Sequence, residues 1–122
     1  MKHLKSLREF VDALTAIGEV QPIDVKVDWN LEIGAVTRRS YELRSPAPLF
    51  NRIKGIDRGL RVFGAPGGLS TNVRNRYSRV ALALGFDPDT PGRKLVEALA
   101  DTRARTGIPP KNGWDDGLVK RT

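Results

Sequence analysis

Cysteine is absent from the 122 residues, and histidine occurs once, as His3. Without cysteine there is no disulfide, no thiol nucleophile and no thiolate metal site. A single histidine excludes a multi-histidine metal centre. A Ser-His-Asp triad would have to use a histidine three residues from the chain start. Long apolar runs are missing too. The longest, such as Val80 to Gly85, are about six residues, whereas a membrane-spanning helix needs about twenty. No transmembrane helix is expected. The opening MKHLKSLREF puts charges where a signal peptide keeps its apolar core, so no signal peptide and a cytoplasmic location are expected.

What remains is a basic chain of ordinary apolarity. Hydrophobic residues make up 39% and charged residues 29%, too apolar a balance for disorder. The length suits one domain, and such a chain buries roughly two-thirds of its unfolded surface on folding. The net charge of +7 is unevenly spread. Residues 1–37 are net −2, residues 38–79 net +8 and residues 80–122 net +1. The middle third can attract nucleic acid, an anionic membrane or an acidic protein surface. Its ten basic residues are spread over 42 positions and do not form a dense basic tract. A solvated face, or a surface that meets the rest of a larger enzyme, is the favoured reading of them.

Ser6 precedes Leu7, Phe10, Val11, Leu14 and Ile17, with Glu9 three residues on. This capping box feeding an apolar stripe predicts a helix over 7–17, stopped by Gly18. Ile23, Val25 and Val27 alternate with Asp24, Lys26 and Asp28, which predicts a half-buried strand. Pro22 places that strand at an edge, or starts it just afterwards. Asn30 is the expected cap of a second helix from Leu31 to Leu43, ended by Pro46. Gly34 inside it points to close packing. Pro48–Ile53 and Leu60–Phe63 read as an antiparallel pair around the 55–59 turn. The loop Gly64-Ala65-Pro66-Gly67-Gly68 matches neither GxGxxG nor a P-loop, so it reads as a connection rather than a phosphate cradle.

Ser70 or Thr71 is the expected cap of a third helix reaching Leu84 and ending at Gly85. Thr90 and Pro91 start a fourth, with Leu95, Val96, Ala98 and Leu99 on its buried side. Residues 107–113 read as an extended linker, and Trp114 to Thr122 show no periodicity. The predicted fold is α+β: a small mixed or antiparallel sheet with about four helices, as a domain over 1–106 and a linker or tail over 107–122.

No catalytic constellation stands out. Asp24 with Asp28, and Asp28 with Glu32, fit strand-end and helix-start roles. Asp87 and Asp89 are followed by Thr90-Pro91, which breaks any calcium-loop pattern and suits a turn. Asp115 and Asp116 read as solvated. Trp29 reads as an entry residue packed on the first turn of the second helix. Arg74, Arg76 and Arg79 motivate a nucleic-acid reading. However, Arg74 and Arg76 do not share a helix face, and no zinc finger, RNA-binding aromatic strand or zipper accompanies them.

The order of segments is more specific than any motif. Leu7-Arg8-Glu9-Phe10-Val11-Asp12-Ala13-Leu14 with Gly18-Glu19-Val20 and Ile23 resembles the opening of the UbiD-family decarboxylases. Val27 to Arg39, Pro48 to Gly55, Arg61 to Pro66, Arg79 to Gly85 and Ile108-Pro109-Pro110 resemble the blocks that follow, in the family's order. The resemblance spans roughly residues 4–110.

It implies a carboxy-lyase that decarboxylates aromatic or α,β-unsaturated acids with prenylated FMN, a divalent metal (usually manganese) and potassium. It also implies a homo-oligomer and a flavin prenyltransferase that supplies the cofactor. The family's catalytic Glu-Arg-Glu set and its metal-binding Asn, His and Glu belong to a central domain that no positions here match. No catalytic, cofactor-binding or metal-binding residue is therefore assigned to this sequence, and Glu9, Glu32 and Arg38 are not given those roles. The expectation is an N-terminal domain that is structural and inactive alone, with the remainder of such an enzyme as its partner. The alternative is a stand-alone basic module for nucleic acid or another polyanion.

Overall fold

The computed structural model describes residues 2–57, 59–103 and 107. Helix α1 covers Leu7–Ala16. Its cap is the expected one: the Glu9 N–H donates to Ser6 Oγ at 3.2 Å. The Glu9 carboxylate reaches back to the Lys5 N–H at 2.8 Å, one residue beyond a standard capping box. Gly18, at φ +76°, turns the chain out of the helix. Strand β1 (Val20–Ile23) follows at once.

Helix α2 (Glu32–Leu43) crosses over to β2 (Ala47–Phe50), which pairs parallel with β1 in the register Val20↔Ala47 to Ile23↔Phe50. Strand β3 (Val62–Phe63) returns antiparallel on the far side of β2. The sheet is thus mixed, in the order β1-β2-β3. A 3-10 turn (Val73–Asn75), α3 (Ser78–Ala83) and α4 (Gly92–Arg103) complete the described chain. This is the expected α+β architecture: four helices and a small mixed sheet.

The core gathers where the elements meet. Leu14 of α1, Ala47 and Phe50 of β2, Val27, Ile53, Ala65, Ala81 of α3 and Leu95 of α4 are all buried. Helix α2 packs on β2, and α1 packs on β1 and α3. Phe10 meets Phe63 edge to face with ring centroids 6.3 Å apart. No described helix is long and apolar enough to cross a membrane.

Several expectations are corrected. The first strand lies at Val20–Ile23, not at Ile23–Val27. Asp24 ends it by accepting from Asn51 Nδ2 at 2.8 Å, Val25 is exposed, and Val27 makes only an isolated bridge to Ile53. Pro22 lies inside that strand, tolerated because β1 is an edge.

Asn30 does not cap α2. The cap position is Leu31, at φ +67° and without a side-chain bond. The entry is instead held by Asp28, which accepts from the Asn30 N–H, and Glu32, which accepts from the Asp28 N–H. Gly34 faces open space, not a close neighbour. Trp29 does not pack on the first turn; 67% of it is exposed.

The third helix is shorter than expected. Asn72 caps the 3-10 turn, and the α-helix begins only at Ser78. Ser70 does not start it: its hydroxyl accepts from the Asn72 N–H at 3.0 Å in a local turn while donating to Glu19 at 2.5 Å. On α4, Leu95 is buried as expected, but Val96 and Leu99 face outward. The linker beyond Gly107, the tail from Trp114, and Asp115 and Asp116 lie outside the described residues.

Candidate functional site

The most connected polar site is buried. Gly18 ends α1 so that Glu19 enters the interior just before β1, its carbonyl accepting from the Ala47 N–H at 2.8 Å. The Glu19 carboxylate accepts from Ser70 Oγ at 2.5 Å, Thr71 Oγ1 at 3.3 Å and Arg79 Nε at 2.8 Å. Arg79 comes from α3 and is itself buried. Its Nη1 donates to the Ala65 carbonyl at 3.2 Å and its Nη2 to the Ser45 carbonyl at 2.6 Å.

Both carbonyls belong to unusual backbone. Ala65 has φ +50°, and Arg44, just before Ser45, ends α2 in the left-handed region at φ +51°. Left-handed non-glycine residues cost about 1–2 kcal/mol each. The guanidinium gathers the peptide groups at these two bends and ties them to α1 and α3. Every oxygen of the Glu19 carboxylate and all three Arg79 nitrogens thus have partners, the condition under which a buried ion pair is tolerated. A buried cluster of this kind, with every charged oxygen and nitrogen partnered inside the protein, fixes the shape of the domain.

The Gly64–Gly68 loop is built around the same guanidinium. A Cβ on Gly68 would lie 2.6 Å from Arg79 Nη1, and one on Gly64 would lie 2.6 Å from Thr37 Oγ1. These glycines are used for close approach inside the protein, as a connection requires, and not to leave backbone N–H groups open to phosphate.

The acidic candidates do not converge. Asp24 is taken by Asn51, Asp28 and Glu32 close the entry to α2, and Asp87 accepts from the Asp89 N–H in a turn. Glu9 caps α1 and Arg38 pairs with Glu42 on the α2 surface. Among the described residues no three of His, Cys, Asp and Glu come together. The three-arginine cluster is also broken up: Arg74 and Arg76 are exposed while Arg79 lies in the core.

The Glu19–Arg79 cluster was not singled out from sequence. Glu19 read as a residue after a helix stop and Arg79 as a surface cation. A charge directly after Gly18, and an arginine just before Val80-Ala81-Leu82, are the only local signals.

Open apolar grooves also face solvent, and one of them lies beside α4. It measures about 490 Å³ and is lined by Tyr77, Val80, Gly92, Arg93, Leu95, Val96 and Leu99.

Comparison with known proteins gives the arrangement a family. Residues 11–99 match the 3-octaprenyl-4-hydroxybenzoate carboxy-lyase N-terminal domain. Pyrrole-2-carboxylic acid decarboxylase of Pseudomonas aeruginosa is 40% identical over 116 residues, covering 88% of this chain and 23% of that protein. Ferulic acid decarboxylase 1 of Saccharomyces cerevisiae is 34% identical over 104 residues, covering 84% and 21%. Vanillic acid decarboxylase of Sedimentibacter hydroxybenzoicus, in its open form, superposes with a TM-score of 0.72 at 28% identity, covering 90% of this chain and 22% of that one. Its closed form gives 0.67. The chain spans less than a quarter of the length of the relatives it matches. On the match over residues 11–99 and these relatives, the chain belongs to the UbiD carboxy-lyase family, as its N-terminal domain.

Proposed function

We propose that the chain is the scaffold domain of a UbiD-like carboxy-lyase that acts on aromatic or α,β-unsaturated carboxylic acids. The observation that carries this reading is the pattern of coverage. Relatives whose names specify decarboxylation of pyrrole-2-carboxylic and ferulic acids align with nearly all of this chain but with less than a quarter of themselves. In this reading prenylated FMN, manganese and potassium are held by the central domain of the enzyme, and the flavin's prenyl-modified ring supplies the electron sink for decarboxylation. A flavin prenyltransferase provides the cofactor, and the enzyme is a cytoplasmic homo-oligomer. This chain contributes no catalytic residue. The burial of the Glu19–Arg79 cluster supports that assignment, because its charged groups bond to one another and to helix ends and bends inside the domain.

The test is direct. Purified chain is incubated with prenylated FMN, manganese, potassium and each of pyrrole-2-carboxylate, ferulate and vanillate, and carbon dioxide release is followed. The expected result is no turnover with any acid. Turnover by the isolated 122 residues would overturn the reading.

A further inference from the structure

The groove beside α4 is built, and it is open among the described residues. Leu95 forms its buried floor, and Val80 is half-buried beside it. A Cβ on Gly92 would lie 2.7 Å from the Tyr77 ring, so the glycine lets the first turn of α4 rest against that ring. Above the floor the walls are apolar and open: Tyr77 is 48% exposed, Val96 67% and Leu99 48%. Large apolar side chains gathered on one exposed groove mark an interaction surface. The surrounding charge is mixed, with the cations Arg76, Arg93 and Lys94 beside Glu97 and Asp101. Arg93 is neutralised by Glu97 at 2.9 Å, whereas Arg76 and Lys94, next to lining residues, form no ion pair among the described residues.

We propose that this groove is the seat of the remainder of the carboxy-lyase chain, through an apolar segment with acidic residues at its rim. The inference rests on the reading of this chain as one domain of a longer enzyme. Three observations select the occupant. The relatives extend over more than three-quarters of their length beyond the matched segment. The family match ends at residue 99, on the wall of the groove. Helix α4 is the last described element in chain order, and it ends at Arg103, one turn beyond the lining residue Leu99, so a continuing chain starts at high local concentration near the groove. A core of aromatic and aliphatic anchors inside a charged rim is the usual anatomy of a protein interface.

The test uses the full chain and the Pseudomonas aeruginosa decarboxylase from which the aligned N-terminal segment has been removed. Binding is measured by calorimetry for the unaltered chain, for the double variant V96D/L99D, and for V25D, which alters an exposed apolar residue outside the groove. The double variant is expected to bind at least about 30-fold more weakly, with V25D unchanged. Hydrogen exchange on the unaltered complex provides a readout that does not depend on how the variant folds: the amides of residues 92–99 become protected. Equal binding by V96D/L99D and the unaltered chain, or unprotected 92–99 amides in the complex, overturns the groove assignment and leaves the domain reading intact. Absence of binding by the unaltered chain overturns both. A dimer of this chain alone that V96D/L99D abolishes would assign the groove to a second copy and overturn the proposal.

Discussion

Arg79 Nε donates to Glu19 Oε2 at 2.8 Å, joining two buried side chains that stand 60 residues apart in the chain. The pair links the end of α1 to α3 through the middle of the domain. Removing one member leaves the other charged, buried and unpaired. Arg79→Ala is therefore expected to destabilise the fold by about 3–5 kcal/mol. Urea denaturation measures this. A loss under 1 kcal/mol would show that the pair does not organise the core.

Gly68 should be coupled to the same guanidinium. A methyl group there meets Arg79 Nη1 at 2.6 Å and the Ala65 carbonyl at 3.3 Å, and Arg79 cannot swing away without releasing its acceptors. Gly68→Ala is expected to cost about 1–3 kcal/mol in the unaltered chain and clearly less in the Arg79→Ala background. A double-mutant cycle gives the difference. Strict additivity would contradict the packing described for this loop.

Leu31 offers the opposite case. It holds φ +67° and is 81% exposed, so a strained backbone carries a side chain that packs on little. Leu31→Gly relieves roughly 1–2 kcal/mol of left-handed strain and gives back about 0.5–1 kcal/mol as added chain entropy in the unfolded state. Stability is expected to stay level or rise by about 1 kcal/mol. A thermal melt decides it, and a marked fall would mean that Leu31 packs on something within the domain.

Phe50 shows how far the sequence could be read. The Pro48–Phe50 apolar run promised a strand, and β2 supplies it at the centre of the sheet, with Phe50 fully buried. Phe50→Ala is expected to cost about 3–5 kcal/mol, against less than 0.5 kcal/mol for Val25→Ala on the surface. Chemical denaturation of both variants checks the contrast.

Local signals were legible where they act locally. Ser6 with Glu9, Gly18 after Ile17 and Gly85 after Leu84 set helix ends through bonds within a few residues, and the structure keeps them. Signals failed where a distant partner was involved. Ser70 does accept a local N–H, that of Asn72, but nothing nearby reveals that its hydroxyl also donates to Glu19, 51 residues earlier. Arg79 looked like part of a basic face because its acceptors lie at residues 19, 45 and 65. The alternation of Ile23, Val25 and Val27 suggested a strand that begins where β1 (Val20–Ile23) ends, because β1 is positioned by pairing with Ala47–Phe50 and not by its own pattern. Val96 and Leu99 fit the buried stripe of a helix and yet line an open groove. A periodic pattern reports an apolar face and does not say which body covers it.

The basic middle third carries a clear expectation as well. With Arg79 in the core and Arg38 and Arg39 paired to Glu42, no regular phosphate-tracking ridge forms among the described residues. Fluorescence titration with duplex DNA and with RNA at physiological salt is expected to give no binding tighter than roughly 10⁻⁴ M, the weak end of non-specific affinity under that condition. Micromolar binding that Arg74→Ala with Arg76→Ala abolishes would support a stand-alone polyanion module.

The central claim is that this chain completes a carboxy-lyase without contributing catalytic groups. The most direct measurement is reconstitution. The Pseudomonas aeruginosa decarboxylase lacking its aligned segment is supplied with prenylated FMN, manganese and potassium, and pyrrole-2-carboxylate turnover is recorded as this chain is added. The account predicts little activity from either part alone and a saturable rise on mixing, with the rise lost in Arg79→Ala at temperatures where that variant unfolds. Turnover by this chain alone, or a truncated enzyme whose rate and stability are unaffected by adding it, would contradict the account.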